Sequence, residues 1–214
     1  MSVPSLAHVI AARLIATVLL TGAPVGAAPP AFAGSPTEQL KTSVEQIVRV
    51  LEDPAMRPEA RATERRAAIR KEALGVFDFG ETAKRALGRH WQRLAEKDRL
   101  EFTALFTDLI ERAYISKIER YSGERIAFAG ESVESGLATV RTRFVTKQGT
   151  EIPVDYRMQQ RGARWLVYDV SIEGVSLINN YRTQFDKIIQ TSSYAELVRK
   201  LKAAEVAAPA APRS

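Results

Sequence analysis

The first regular hydrophobic pattern follows residue 34 and has the spacing of an amphipathic helix. Its apolar positions form one narrow stripe of Leu40, Val44, Ile47, Val48 and Leu51. Ser35 can cap this helix, because its hydroxyl accepts an N–H of the first turn while Glu38 reaches back to the cap. The stripe ends at Asp53, since the residue before a proline resists helical geometry. The pattern predicts a helix that covers a core with one face.

Two further helical regions follow, and they differ in composition. The first, from Pro58 to Leu74, is rich in arginine and poor in apolar positions. Such a composition is typical of a solvated helix face, and a surface for nucleic acid or another polyanion is the alternative. The second region runs from Phe77 to Tyr121, breaks near Leu87-Gly88 and continues as a long helix from about Lys97. The apolar residues of this long helix cover more than one of its sides. We therefore expect other elements to contact it on two sides, either within a core or along a cavity.

After Tyr121 the hydrophobic period changes to two, and glycines divide the chain into short runs. One side of each run is apolar and the other is polar. The apolar side carries Ala138, Val140, Thr142 and Phe144 in one run, Ile152, Val154, Tyr156 and Met158 in the next, and Leu166, Tyr168, Val170 and Ile172 in the last. This alternation predicts an antiparallel meander whose sheet has a single apolar face.

Two predicted helices follow the strands. Ser176 can cap a helix that follows Gly174, and a last helix runs from about Ser193 to Ala204. We therefore predict an α+β fold, in which an antiparallel twisted sheet of about four strands is covered on one face by several helices. Residues 34–204 form one domain in this interpretation, because no long linker or internal repeat divides them.

The two ends of the chain have a different composition from the middle. Arg13 precedes the apolar run Leu14 to Leu20, which is too short to span a bilayer. The small residues Ala31 and Ala33 then precede a signal-peptidase site before Gly34, so we expect residues 1–33 to be a cleaved signal peptide that directs export. The alanine- and proline-rich residues 205–214 are expected to form a disordered tail.

The amino-acid composition excludes several kinds of catalytic and metal-binding site. The chain has 214 residues, a net charge of +6, no cysteine and two histidines, so disulfides, thiolate metal sites and cysteine nucleophiles are excluded. Phosphate-binding and dinucleotide-binding glycine motifs and a serine-hydrolase elbow are also missing. His90 is interpreted as a structural aromatic residue. Asp169 and Glu173 could perform acid–base hydrolysis, and the alternative is that they cap a helix or pair with Arg182.

A domain without catalytic groups but with an apolar sheet face is suited to binding an apolar ligand. Transfer of acyl chains from water is worth about 0.8 kcal/mol per methylene, or roughly 20 kcal/mol for two chains. Because leaving a bilayer costs a similar amount, a protein with such a pocket exchanges lipid reversibly. A closed core without a cavity would use the same residue types, and the pattern alone does not separate these two possibilities.

Several motifs resemble one known family, the MlaC-like (toluene-tolerance) periplasmic phospholipid-transport proteins. They agree in order and spacing over roughly Ser35 to Leu201. The matching stretches are Phe77-Asp78, Leu87 to Trp91, Phe102 to Phe106, Tyr114, Tyr121 to Glu124, Trp165 to Leu177 and Asn180 to Phe185. The sequence departs from the family pattern at Thr191 to Tyr194, where a glycine is expected between the last two helices.

The resemblance implies a fold that encloses a deep apolar pocket for phospholipid acyl chains, with the head group near its mouth. The residues assigned to the pocket on this basis are Leu105, Leu109, Val140, Phe144, Val154, Tyr156, Met158, Tyr168, Val170 and Tyr181. Arg143 and Arg182 are the head-group candidates, because a guanidinium offers a planar pair of donors to phosphate.

The resemblance also implies partners. Family members carry lipid between an outer-membrane lipoprotein complex and an inner-membrane ABC transporter complex, with transient contact at membrane surfaces. We therefore expect a non-enzymatic monomer with no cofactor apart from bound phospholipid, no metal and no nucleic-acid partner. A carrier of hopanoids or other sterol-like lipids is the nearest alternative, and an exported polyanion-binding protein is an alternative of a different class.

Overall fold

The computed structural model describes residues 34–208, which form six α-helices and a five-stranded antiparallel sheet. The helices are α1 (Pro36–Glu52), α2 (Ala62–Val76), α3 (Phe79–Leu87), α4 (Glu96–Ile118), α5 (Leu177–Thr191) and α6 (Tyr194–Lys202). The strands are β1 (Arg125–Glu134), β2 (Leu137–Val145), β3 (Glu151–Arg161), β4 (Arg164–Ile172) and β5 (Val175–Ser176). Short 3-10 turns cover Pro54–Met56, Glu59–Arg61 and Gly88–Arg93.

The strands pair in chain order from β1 to β5, as a meander does. The prediction of an antiparallel sheet is confirmed, and the prediction of about four strands omits β5. That strand has two residues, which pair with Ser171 and Ile172 at the end of β4. A strand of this length has no alternating pattern, so a period-two argument does not detect it.

Helix α1 begins as its sequence predicts. The Ser35 hydroxyl accepts the Glu38 N–H at 3.1 Å, and the Glu38 carboxylate accepts the Ser35 N–H at 3.0 Å. Pro36 occupies the first turn, where a missing N–H costs nothing. The helix ends at Glu52, next to the Asp53-Pro54 pair. Its buried Leu40 lies against the sheet.

Helix α2 begins four residues later than predicted, because the segment from Glu59 first forms a 3-10 turn. Its arginines are paired with acidic residues of α4 and with Glu119, the residue that follows α4. Arg65 and Arg66 both contact Glu119, and Arg70 contacts Asp108 and Glu111. The buried Ile69 and Val76 pack α2 against the domain, and these ion pairs satisfy its charged side.

Two hydrophobic clusters support the fold. The helical cluster joins α3, α4, α5 and α6 through Ala83, Ala86, Leu87, Phe102, Phe106, Leu109, Ile178, Tyr181, Phe185, Leu197, Leu201 and Val206. The sheet cluster joins α1, the end of α2 and the sheet through Leu40, Val76, Ala138, Val140, Met158, Trp165 and Val167. The long helix α4 packs on α3, α6 and α2, in agreement with its predicted contacts on two sides.

The described part of the chain extends beyond the predicted domain end at residue 204. Val206 is 8% exposed and belongs to the helical cluster, so packing continues two residues into the segment predicted as a tail. The predicted signal peptide, residues 1–33, and residues 209–214 lie outside the described residues. Within residues 34–208 no helix is long and apolar enough to cross a membrane.

Candidate functional site

Antiparallel pairing brings the predicted apolar residues of the sheet into rows across its inner face. Phe144 pairs with Ile126 on one side and with Ile152 on the other. Two residues further along β3, Val154 lies between Thr142 and Ile172. The next rows are Val140, Tyr156 and Val170, followed by Ala138, Met158 and Val167. Because side chains alternate along a strand, all of these residues lie on the same face.

Burial changes systematically along this face. Ala138, Met158 and Val167 are at most 4% exposed, since α1 packs over that end of the sheet. Val140, in the next row, is also fully buried. Beyond Val140 most of the apolar side chains are only half-buried. We call this region the half-buried apolar face; it consists of Ile126, Phe128, Phe144, Ile152, Val154, Tyr156, Val170 and Ile172.

The α1 stripe shows the same change. Leu40 is 2% exposed and Val44 packs against the sheet cluster. Ile47, Val48 and Leu51, the next members of the stripe, are half-buried. The helix and the sheet face therefore both leave apolar surface accessible, which is the kind of surface that an apolar ligand would cover.

Tyr156 lies at the border between the packed and the half-buried parts of the face. Its side chain keeps some accessible surface, yet burial raises its pKa to about 12. Desolvation by the surrounding protein atoms is the cause of this raised pKa. Tyr156 therefore adds one polar hydroxyl to the half-buried apolar face.

The structure brings six of the predicted pocket residues together on the sheet. They are Val140, Phe144, Val154, Tyr156, Met158 and Val170. Leu105, Leu109 and Tyr181 belong instead to the helical cluster. Tyr168 lies away from both groups, with the Arg85 guanidinium carbon 4.0 Å from the centre of its ring. The register shift between Arg157 and Met158 accounts for this position, because it changes the pairing where β4 passes Tyr168.

Tyr181 is fully buried among aromatic rings. Its ring centre lies 5.2 Å from that of Phe106 in an edge-to-face contact and 5.7 Å from that of Phe185. The Tyr181 hydroxyl makes no hydrogen bond of good geometry. Burial, together with the neighbouring Tyr114 hydroxyl, raises the pKa of Tyr181 far above its usual range.

The two head-group candidates lie in different surroundings. Arg143 alternates with Val140 and Phe144 and therefore lies on the other face of the sheet, where it pairs with Glu151 at 2.7 Å. The exposed Arg182 donates from Nε to the Arg85 carbonyl oxygen at 2.7 Å. It lines a cavity of about 540 Å³ that also contains Arg157 and Asp169.

The two carboxylates that could perform hydrolysis lie in surroundings that indicate structural roles. Asp169 accepts hydrogen bonds from the Ser176 hydroxyl at 2.7 Å and from the Ile178 N–H at 3.2 Å, and it faces Arg157. It therefore fixes the start of α5, as its capping interpretation predicted. Glu173 is an exposed turn residue with a positive φ of 51°.

His90 and Asp186 likewise form structural contacts. His90 Nε2 lies 2.7 Å from the Asp186 carboxylate, which also accepts hydrogen bonds from Arg89. The hydrogen bonds from His90 and Arg89 hold the pKa of Asp186 below its usual value. Among residues 34–208 no group of three His, Asp or Glu side chains could hold a metal ion.

Sequence reasoning missed Ile126, Phe128, Ile152 and Ile172 as candidate site residues. Each lies in a row with a predicted residue, for example Ile172 beside Val154. The signal was present in the alternation of the strands. Using it would have required the pairing register, which turn lengths and a bulge determine.

Comparison with known proteins gives consistent results. A family model described as MlaC protein matches residues 41–203. The intermembrane phospholipid transport system binding protein MlaC of Haemophilus influenzae is 20% identical over 142 residues, which cover 64% of this chain and 66% of that protein, just under two thirds of its length. The phospholipid-binding protein of Ralstonia solanacearum, solved in complex with a phospholipid, superposes with a TM-score of 0.70 at 22% identity. That match covers 79% of this chain and 96% of the Ralstonia chain, and it shows a shared fold.

Proposed function

This chain belongs to the MlaC family, and from that membership we propose that it is the phospholipid-binding carrier of an intermembrane phospholipid transport system. The observation that supports this proposal is the half-buried apolar face, since it leaves apolar surface accessible on the inner face of the sheet. The Haemophilus and Ralstonia relatives are described as phospholipid-transport and phospholipid-binding proteins, which agrees with it. Carriage of this kind needs no catalytic group.

The acyl chains are proposed to lie along the half-buried apolar face. Phe144, Val154, Tyr156 and Val170 form the sheet wall, and the buried Val140 and Met158 form its closed end. The predicted helical residues Leu105, Leu109 and Tyr181 support the opposite wall from within the helical cluster, whose half-buried members include Ile110 and Tyr114. Tyr168 is not part of this wall, because its ring lies under the Arg85 guanidinium near α3.

The energetics favour a carrier rather than a permanent store. Each buried methylene contributes about 0.8 kcal/mol, so two chains contribute roughly 20 kcal/mol, close to what they lose on leaving a bilayer. The exchange between membrane and protein is therefore nearly balanced. A partner that binds the loaded or the empty form then determines the direction of transfer.

Arg143 and Arg182 remain our proposed head-group contacts. Because Arg143 lies on the sheet face opposite the proposed acyl chains, it would meet a phosphate only near the end of β2, where it would exchange its present partner, Glu151. Arg182 uses only Nε for the Arg85 carbonyl, which leaves its terminal nitrogens for an anion.

The cellular setting is part of the same proposal. The signal predicted in residues 1–33 would export the chain to the periplasm, where it would act as a monomer. Its proposed partners are an inner-membrane ABC transporter complex and an outer-membrane lipoprotein complex, with brief contact at membrane surfaces. Removal of residues 1–33 takes away Arg13 and leaves a net charge of +5, which favours approach to anionic surfaces, and salt weakens that attraction.

Native mass spectrometry of the unheated, purified protein tests the proposal. We expect one phospholipid per chain, and organic extraction then identifies its class. If the extracted lipid is a hopanoid, the cargo is a hopanoid and the proposed phospholipid cargo is wrong. Protein that is repeatedly empty and transfers no phospholipid between vesicles would disprove the carrier role.

A matched pair of variants tests the location of the site. Val154→Trp fills the half-buried apolar face and should reduce bound phospholipid several-fold, while the domain stays folded. Val133→Trp is the control, because Val133 is 52% exposed near the turn between β1 and β2. Equal lipid content in both variants would place the site elsewhere.

A further inference from the structure

The cavity of about 540 Å³ that Arg182 lines lies where β4 and β5 meet α3 and α5. We call it the arginine pocket, after three of its lining residues. They are Arg85 from α3, Arg157 from β3 and Arg182 from α5. Asp169 is the one carboxylate among its lining residues in the described part of the chain. The pocket therefore carries an excess of positive charge.

The carboxylate in the pocket does not neutralise all three guanidinium groups. Asp169 is 5% exposed, and the Ser176 hydroxyl and the Ile178 N–H already occupy its oxygens. Its ion pair with Arg157 is long, at 3.4 Å. Hydrogen bonds to the start of α5 hold Asp169 in place, and among the described residues its ion pair is with Arg157 and not with Arg182.

A backbone carbonyl oxygen, and not an acidic side chain, orients the Arg182 guanidinium. Its Nε donates to the Arg85 carbonyl oxygen at 2.7 Å, at the end of α3. The aliphatic part of Arg182 lies over Gly88, where an added Cβ would stand 3.4 Å from its Cδ. This arrangement fixes the guanidinium plane and leaves both terminal nitrogens as donors in the pocket.

Arg85 has an unusual hydrogen-bonding state. Its guanidinium lies over the Tyr168 ring, and its Nε is 2.9 Å from the Glu81 carboxylate. That Nε is buried and makes no hydrogen bond of good geometry. A ring face and a single ion pair satisfy few of the five donors of an arginine.

We propose that the arginine pocket binds a phosphate-type oxyanion, either a soluble phosphate compound or the phosphodiester of a lipid head group. A tetrahedral oxyanion accepts hydrogen bonds from several guanidinium groups at once, which is what three converging arginines offer. The volume exceeds what an isolated phosphate fills, so an organic substituent fits as well.

The position of the pocket separates it from the half-buried apolar face. Arg157 and Asp169 are a register pair on β3 and β4. Tyr156 and Val170, their neighbours in the chain, form the next pair and belong to the apolar face. Because successive side chains point to opposite sides of a strand, the Arg157–Asp169 pair lies across the sheet from that face.

Titration of the lipid-loaded, ¹⁵N-labelled protein with inorganic phosphate tests the inference. The amide signals of residues 174–183 should shift and saturate, while sodium chloride of equal ionic strength should leave them in place. Equal shifts with both salts, or no shift in either lipid-loaded or delipidated protein, would overturn it.

Variants supply an independent test. Arg182→Gln should weaken phosphate binding by about tenfold, since it removes charge-assisted hydrogen bonds. Arg112→Gln is the control: it is an equally exposed arginine on α4, outside the pocket, and its loss changes net charge by the same amount. Arg157→Gln replaces Arg182→Gln if circular dichroism shows that the latter is unfolded. Equal weakening by the pocket and control variants would contradict the proposal.

The lipid content of Arg182→Gln distinguishes the two sources of the anion. Phosphate binding to lipid-loaded protein, with unchanged phospholipid content in the variant, identifies a soluble ligand. Binding only to delipidated protein, with reduced phospholipid in the variant, identifies the head group as the occupant. Both outcomes retain the pocket as an oxyanion site.

Discussion

The carboxylate of Glu131 on β1 accepts two hydrogen bonds from Thr37 in the first turn of α1. The backbone N–H of Thr37 donates at 2.8 Å and its hydroxyl donates at 2.6 Å. The negative charge lies at the end of the helix where the helix dipole favours it. A residue from a distant strand therefore completes the capping of α1 and attaches this helix to the sheet.

We expect Glu131→Ala to lower the free energy of unfolding by about 1 to 2 kcal/mol, because it removes both bonds and leaves a helix N–H without a partner. Urea denaturation measures the change. Glu134→Ala is the matched control, since Glu134 is an exposed glutamate near the end of the same strand. An equal effect of the two substitutions would show that the Thr37 contact has no special role.

Glu119 connects α2 to α4 through both Arg65 and Arg66. The Glu119 side chain is 11% exposed and that of Arg65 is 14% exposed, so this pair is much better shielded from water than a surface ion pair. We expect Glu119→Gln to cost about 2 kcal/mol, because the half-buried Arg65 loses its charged partner.

Asp108→Asn provides the comparison for Glu119. The Asp108 contact with Arg70 is 3.7 Å long and exposed on both sides, so its loss should change stability by less than about 0.5 kcal/mol. Thermal unfolding of both variants at low and high salt measures the difference. A salt-sensitive loss of similar size in both would indicate that the Glu119 contact is an ordinary surface pair.

Asp78 makes stability depend on pH. Burial by itself raises the pKa of Asp78, but hydrogen bonds from the Glu81 N–H, Arg161 and Gln159 outweigh it and hold this pKa below 3.8. A carboxyl with a lowered pKa stabilises the folded state above its unfolded pKa, and this contribution is lost as pH falls through the folded value.

The test of Asp78 compares the wild-type protein with Asp78→Asn from pH 6 to pH 2. The variant keeps a side-chain oxygen that can cap α3, but it has no charge to protonate. We expect it to be less stable near neutral pH and to approach the wild type below about pH 4. A stability difference that is constant over this range would remove Asp78 as the source of the pH dependence.

Tyr181→Phe tests whether an unpaired buried hydroxyl costs stability. The Tyr181 hydroxyl is fully buried and makes no hydrogen bond of good geometry, so its removal should be neutral or stabilise the domain by up to about 1 kcal/mol. Calorimetry is a suitable measurement. If Tyr181→Phe instead destabilises the domain by more than about 1 kcal/mol, the hydroxyl has a hydrogen-bond partner in solution, such as Tyr114.

Much of the fold follows from local patterns. The Ser35 cap, the two-sided long helix, the alternating strands and the Ser176 cap all appear near their predicted positions. These features depend on residues close in the chain, whose geometry is fixed by hydrogen bonds within a turn or by strand alternation. The start of α2 and the short strand β5 differ from the prediction, because neither segment has a regular hydrophobic period.

The candidate site was only partly predictable. Val154 and Tyr156 were found because alternation places them on the apolar face. Leu109 has equally suitable chemistry, yet it packs among the rings of the helical cluster. A core position and a cavity wall require the same residue types, so the sequence alone cannot separate Leu109 from Val154.

The amino-acid sequence by itself determined the order of elements, the apolar side of each strand and the membership of the family, because each depends on the types and spacing of nearby residues. Tertiary structure decided which apolar residues stay half-buried, since that depends on where α1 ends its cover of the sheet. It also decided that Arg85, Arg157 and Arg182 converge. These three residues come from separate elements, and only the packing of those elements brings their charges together.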